Sequence, residues 1–160
     1  MRAPIWLLLL LTVASSACAP AVDLTKGLQV VDASTGLIDV GIVNGQNKLV
    51  PSITFKLKNL SDQKLIALQV NAAFRRVDSA KEEWGSGYVI VAQSEGLAPG
   101  ATSKAFTIQS TLGYTGLEPR AEMLKNPHFV DSKVELAAKY GSVQWTRVGD
   151  YPVERRLLTP

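Results

Sequence analysis

The chain has 160 residues, with 17 Lys and Arg against 14 Asp and Glu, one His and one Cys, and a formal charge of +3. So mild a balance does not mark a surface for polyanions, and nucleic acid is not an expected partner. A single histidine excludes multi-histidine metal sites, and a single cysteine excludes an internal disulfide, so burial and backbone pairing must hold the fold.

Arg2, the apolar run Ile5 to Ala14 and the small residues Ser15, Ser16 and Ala17 have the layout of a secretory signal. The run is about half of the ~20 residues a helix needs to cross a bilayer, so residues 1–17 are expected to be removed. Cys18 follows Ala17 directly, and "SSAC" resembles the lipobox of bacterial lipoproteins, whose cysteine takes a lipid on its thiol and a fatty acid on its new amine. Ser15 stands where that family prefers Leu, so ordinary signal cleavage remains the alternative. The resemblance implies lipidation at Cys18, with residues 18–24 as attachment site and tether and residues 25–160 as the folded domain. Acyl chains at ~0.8 kcal/mol per buried methylene would anchor the chain to a membrane without a spanning helix. Ala19 stands where an Asp would resemble an inner-membrane retention signal. The implied place is therefore the outer membrane, facing the periplasm, with a secreted protein as the alternative. Without the leader about 140 residues remain, one domain's worth. Loss of Arg2 leaves sixteen basic against fourteen acidic residues, a net +2.

Periodicity of two dominates the rest. "LQVV" and "LIDVGIV" flank a turn at Asp32 to Gly36. In "ITFKLKN", Ile53, Phe55 and Leu57 share one face of a strand and Thr54, Lys56 and Lys58 the other. "NLSDQK" supplies side chains for a local turn, and Asn59-Leu60-Ser61 spells a sequon that is a coincidence in a bacterial host. Next, Ile66, Leu68, Val70, Ala72 and Phe74 alternate with polar or small residues. "DSAKEEW" reads as a solvated connection and "YVIVAQ" as a more buried strand. Pro99-Gly100 turns the chain before Phe106 and Ile108 face inward. In "LEPRAEMLKNP", Pro119 suits the first turn of a short helix that Asn126 and Pro127 stop. "KVELAAKY" puts Val134, Leu136 and Ala138 inward, Lys139 to Ser142 forms a hairpin turn, and Trp145 follows Val143 into the core. The tail "YPVERRLLTP" is either a final edge strand or a segment that docks on another protein. These elements predict an all-β chain: a single antiparallel sandwich of about seven strands with one short helix.

The run from Ile53 to Ile108 resembles the FxLYD type of bacterial immunoglobulin-like domain: "KNLSDQK" between two alternating strands, the second ending in "FRRVDS", then "LAPGATSKAFTI". It covers about a third of the chain, and the eponymous motif itself is missing. The resemblance implies a scaffold or binding module without a catalytic site or cofactor.

The chemistry-bearing residues point the same way. His128, between Pro127 and Phe129, reads as a turn residue. Asp78, Glu82 and Glu83 lack calcium-loop spacing, and neighbours on one loop do not form the opposed pair that glycoside hydrolysis needs. Trp84, beside Gly85 and close to Tyr88, either stacks on a sugar or partner from a loop tip or packs over the end of the sandwich. Arg147, Arg155 and Arg156, with Lys133 and Lys139, bias the C-terminal third toward a basic surface. The expectation is thus a non-enzymatic, lipid-anchored envelope protein that binds another protein through a sheet edge or tip loops, with Trp84, Tyr88, Arg155 and Arg156 as candidate binding residues. The alternative is a glycan or small-ligand module using Trp84 and Tyr88. A hydrolase using Glu82 and Glu83 has the least support.

Overall fold

Alternating side chains commit most of this chain to extended backbone, and the computed structural model describes the result for residues 20–79 and 82–158. The leader and Cys18 lie outside the described residues. A single turn, α1 (Leu24–Gly27), precedes β1 (Leu28–Val43), β2 (Gln46–Asn59), β3 (Leu68–Arg76), β4 (Glu83–Ala92), β5 (Phe106–Gln109) and β6 (Tyr114–Gly116). Then come α2 (Arg120–Met123), β7 (Ser132–Lys139) and β8 (Thr146–Pro152). One antiparallel sheet has the order β1-β2-β5, with β6 also paired to β2; the other has the order β4-β3-β7-β8. The chain is an all-β sandwich.

The core lies between the two sheets. Ile53, Phe55 and Leu57 of β2 meet Leu68, Val70 and Phe74 of β3 and Val134 and Leu136 of β7, all with no exposed surface. Burial of each such side chain contributes about 1.5–3 kcal/mol. The outward residues of β2 are Thr54, Lys56 and Lys58, as the alternation predicts.

Several local readings differ. Asp32 to Gly36 is no hairpin turn: β1 runs on through it, with register shifts at Val31/Ser34 and Asp39/Ile42. Asp32 takes φ 53° and Gly41 φ 89° at these bulges. The hairpin turns instead at Asn44 and Gly45, with φ 51° and 76°, the left-handed pair that an Asn-Gly turn supplies. Ile66 is 48 % exposed because Ala67, at φ 50°, breaks the alternation before β3 starts. Trp145 is not core either. β8 begins only at Thr146, so Trp145 sits in the connection, 44 % exposed, with Lys139 Nζ 4.9 Å from its ring centroid. The expected single helix is α2, one turn long with Pro119 as its cap, and α1 is a second. Leu24, within the span read as tether, is 2 % exposed in the core, so the folded unit begins before residue 25.

The strand directions give the sandwich two distinct ends. The amino-terminal end carries residues 20–27 and the connections 60–67, 93–105 and 140–145. The far end carries the Asn44-Gly45 turn, the connection after β3, α2 and the carboxyl tail. That tail crosses from β8 to the other sheet. Leu37 N–H donates to Arg156 O and Leu158 N–H to Leu37 O, both at 2.8 Å, which makes a short parallel pairing on the edge of β1.

Candidate interaction surfaces

A sandwich of two open sheets has four edges, and their chemistry separates them. The β1 edge is bulged twice and strapped by the tail. β5 is only four residues long. β8 carries Arg147, Asp150 and Pro152 and a register shift opposite Leu136/Ala137. β4 is ten residues long, contains no Lys, Arg or Pro, and has β3 on one side only. Charged residues, proline and covers are how natural edges avoid pairing, so β4 is the undefended edge. Its register shifts lie at its two ends, leaving Gly85 to Val89 and on to Ile90 regular.

Outward from β4 point Tyr88, 67 % exposed, and Ile90, 48 % exposed, while Val89 and Val91 pack toward the core. Tyr88 is paired across from Asn71, and Ile90 from Gln69, so amide side chains flank both on the neighbouring strand. Gly85 and Gly87 lie within this strand rather than in a tight turn. A Cβ on Gly87 would lie 2.7 Å from Ile108 Cγ2 and 2.8 Å from Gln109 O, so these glycines let β4 sit directly over β5.

Trp84 does not join Tyr88. It is half-buried at the far end, edge-on to Tyr114 with ring centroids 4.7 Å apart at 71°. Tyr114 stacks on Phe129 at 4.0 Å, and the Arg155 guanidinium lies 5.0 Å from the Phe129 centroid on top of that pair. Trp84 and Arg155, 71 positions apart in sequence, thus close opposite ends of one aromatic stack. Burial pushes the Tyr114 phenol pKa up. Beside the stack, Tyr114, Met123, His128, Phe129 and the carboxylate-bearing Glu118 line a cavity of about 130 Å³.

The two candidate arginines are engaged within the fold. Arg155 Nε donates to Asp131 Oδ1 at 2.6 Å and its Nη2 to Phe129 O at 3.1 Å. That bond holds the Asp131 carboxyl below the usual range and raises the Arg155 pKa. Arg156 donates to Thr35 O at 3.1 Å and Ser34 Oγ at 2.7 Å, and pairs with Glu154 at 2.6 Å. Both hold the tail in place.

Arg75, Lys133 and Arg147, on the outer face of β3, β7 and β8, are neutralised in the same way. Glu135 meets Lys133 at 2.9 Å, Arg75 at 3.2 Å and Arg147 at 3.7 Å, and Arg147 also pairs with Asp150 at 2.5 Å. In the connection after β3, Asp78 pairs with Arg76 at 2.8 Å. His128 is exposed, and its backbone N–H caps against Asn126 Oδ1 at 2.9 Å. Among the described residues no cluster of three or more His, Cys, Asp or Glu could hold a metal ion.

No protein-family model and no curated protein matches this chain. Among solved structures it is similar to a Northeast Structural Genomics Consortium target, SoR45, at 13 % identity, over 81 % of this chain and 88 % of that one, with a TM-score of 0.44. Nothing about function follows from so loose a likeness.

Proposed function

We propose that this is a non-enzymatic bacterial envelope lipoprotein, anchored through Cys18, that binds an extended segment of another envelope protein along the open edge of β4. The observation that supports it most is the contrast among the edges: β4 alone among them is long, uncharged from Trp84 to Ala92 and uncovered. A strand added there gains main-chain hydrogen bonds, while Tyr88 and Ile90 offer contacts for alternate side chains of the incoming chain. Glu82 and Glu83 stand at the start of the strand and Glu95 follows its end, which favours a segment with basic residues at its ends.

The test is photo-crosslinking from position 88 in native envelopes, repeated with Ile90→Lys. The reading expects one discrete adduct that the lysine abolishes; no adduct, or an adduct indifferent to the lysine, sinks it. The anchor is tested separately, by the intact mass of the mature amino-terminal peptide with and without Cys18→Ser. Acyl groups on wild type alone support it, and an unmodified wild-type peptide removes it.

Glycan binding is the second reading, and the placement of exposed Tyr88 beside Asn71 favours it over a site that includes Trp84. Quenching of tyrosine or tryptophan fluorescence by cell-wall sugars, lost in Tyr88→Ala but kept in Trp84→Phe, would support it; no quenching would end it.

A further inference from the structure

Both ends of the sandwich expose aliphatic side chains, the far end among them Ile42 (71 %) and Leu117 (78 %), and the two ends differ in their cations. The connections of the amino-terminal end expose Leu60 (52 %), Ile66 (48 %) and Trp145 (44 %), and Ile90 (48 %) borders them from the end of β4. Between Ile66, Ala67 and Ile90 runs an open groove of about 460 Å³, whose remaining walls are the uncharged Gln69, Gln93 and Ser94. The same end carries Lys26, Lys58, Lys64, Lys104 and Lys139, and none of the five forms an ion pair with a described residue. At the far end, by contrast, Arg76, Arg120, Lys125, Arg155 and Arg156 are each paired with a carboxylate, and of the described cations there only Lys48 forms no ion pair. Three acids stand at the amino-terminal end against the five lysines, Asp23, Asp62 and Glu95, and none forms an ion pair with a described residue, so the end keeps a positive excess.

We infer that this end is a membrane-contact surface that rests on anionic lipid headgroups. Unpaired lysines attract an anionic leaflet, exposed aliphatic side chains enter the boundary below the headgroups, and a tryptophan with a lysine over its ring fits the interfacial zone. The position of the amino terminus agrees. Pro20 is fastened at this same end, where its carbonyl accepts from Gln63 Nε2 at 2.9 Å, and Val22 N–H donates to the Tyr140 hydroxyl. A chain held to a membrane by residues preceding Pro20 therefore presents these lysines and aliphatics to it, and points the Asn44-Gly45 turn away. The surface does not depend on the β4 reading, nor on whether Cys18 carries lipid.

The test uses the full chain with Cys18→Ser, so that one introduced cysteine carries an environment-sensitive fluorophore: at Ser142, in the connection before Trp145, or at Leu117 on the far end. Vesicles of phosphatidylcholine with phosphatidylglycerol should shift the emission at 142 to the blue and shield it from iodide, and should leave 117 unchanged. Pure phosphatidylcholine should give a smaller response at 142. The combined variant Lys26→Glu, Lys64→Glu, Lys139→Glu should bring the 142 response to that of 117. Two results overturn the inference: a probe at 142 that stays aqueous on anionic vesicles, or one shielded equally in the glutamate variant. The β4 reading survives either result, since its readout is the adduct from position 88.

Discussion

Asn59 and Leu97 are joined by a 2.8 Å hydrogen bond from side-chain amide to backbone carbonyl, at a position with no exposed surface. The same nitrogen donates to Gln63 O at 2.8 Å, and Oδ1 accepts the Ser61 N–H at 2.9 Å and its hydroxyl at 2.7 Å. The Asn59 backbone completes the tie, donating to Ala101 O and accepting from Gly100 N–H. One residue therefore fastens the end of β2, the turn after it and the Pro99-Gly100 turn. With its amide committed inside the fold, the sequon is closed in the native state.

Asn59→Ala leaves the Ser61 N–H without its acceptor and removes the links between turns, and should cost about 2–3 kcal/mol. Asn59→Asp should cost more at pH 7, because a buried carboxylate would face two carbonyl oxygens. Those acceptors raise the folded pKa of the introduced group, so the acid is tolerated below it and its penalty grows as pH rises through it. Urea unfolding at pH 7 and pH 4 should show the two variants converging at the lower pH. Parallel curves at both would mean that the site is open to water.

Gly87 tests how closely the sheets meet. Gly87→Ala drives a methyl into Ile108 Cγ2 and Gln109 O at under 3 Å, and part of that contact is backbone that cannot turn aside. Such overpacking should cost about 1–3 kcal/mol, read as a lower urea midpoint at unchanged slope. Gly100→Ala makes a useful contrast: space around that position is open, and any cost comes from its φ of 73° alone.

Much of this fold was legible because a half-buried strand writes its burial into every second residue. Ile53, Phe55 and Leu57, or Val134, Leu136 and Ala138, need no more than that rule. What alternation does not encode is interruption. Val31 and Ser34 belong to one strand because Asp32 supplies a bulge at positive φ, and nothing in "VVDASTG" separates a bulge from a turn. Asn44-Gly45 was a readable turn signal, masked by the valines and isoleucine around it. The short β6 and the tail pairing at Leu37 form only through contacts with residues distant in sequence, and Trp145 looked inward because Val143 two places before it was apolar. The surfaces were less legible still. Arg155 and Arg156 stand together in sequence as if free, yet Asp131, Thr35 and Ser34 already hold them. Lys26 and Lys64, which no motif marks, are among the cations without an ion pair.

Glu135 gathers charge across three strands, so its ionisation should be visible in stability. Lys133 first, then Arg75, holds its carboxyl below the ordinary value of 4.5. A depressed folded pKa contributes stability above the unfolded value that is lost as pH falls through the folded one. Glu135→Gln removes it and takes away the carboxylate that Arg75, Lys133 and Arg147 share. Solvent screening keeps the cost at pH 7 to about 1 kcal/mol. The gap between wild type and variant should narrow as the pH drops below 4.5, and it should shrink in high salt. A gap that persists unchanged at pH 2.5 would place the effect in packing instead.

The tail strap depends on Thr35, whose side chain is 6 % exposed. Its hydroxyl donates to Pro152 O at 2.8 Å and accepts the Glu154 N–H at 3.3 Å, while its carbonyl takes Arg156 Nε. Gly36 beside it leaves room for the tail: a Cβ there would lie 2.8 Å from Leu158 Cγ and 2.9 Å from Arg156 O. Thr35→Val keeps the volume but removes both hydroxyl bonds, and Gly36→Ala keeps the bonds but fills the space. Each should release the tail locally, because few buried contacts hold residues 154–158 once the strap is gone. Amide exchange at Leu37 and Leu158 should then quicken together in both variants, with core amides such as that of Leu136 unaffected. Freeing the tail also uncovers the middle of β1, so both variants should associate at high concentration where wild type does not. Faster exchange at Leu158 with Leu37 still protected would show that β1 is covered by something other than this tail. Loss of protection at Leu136 as well would make the strap part of the global fold and not a separable clasp.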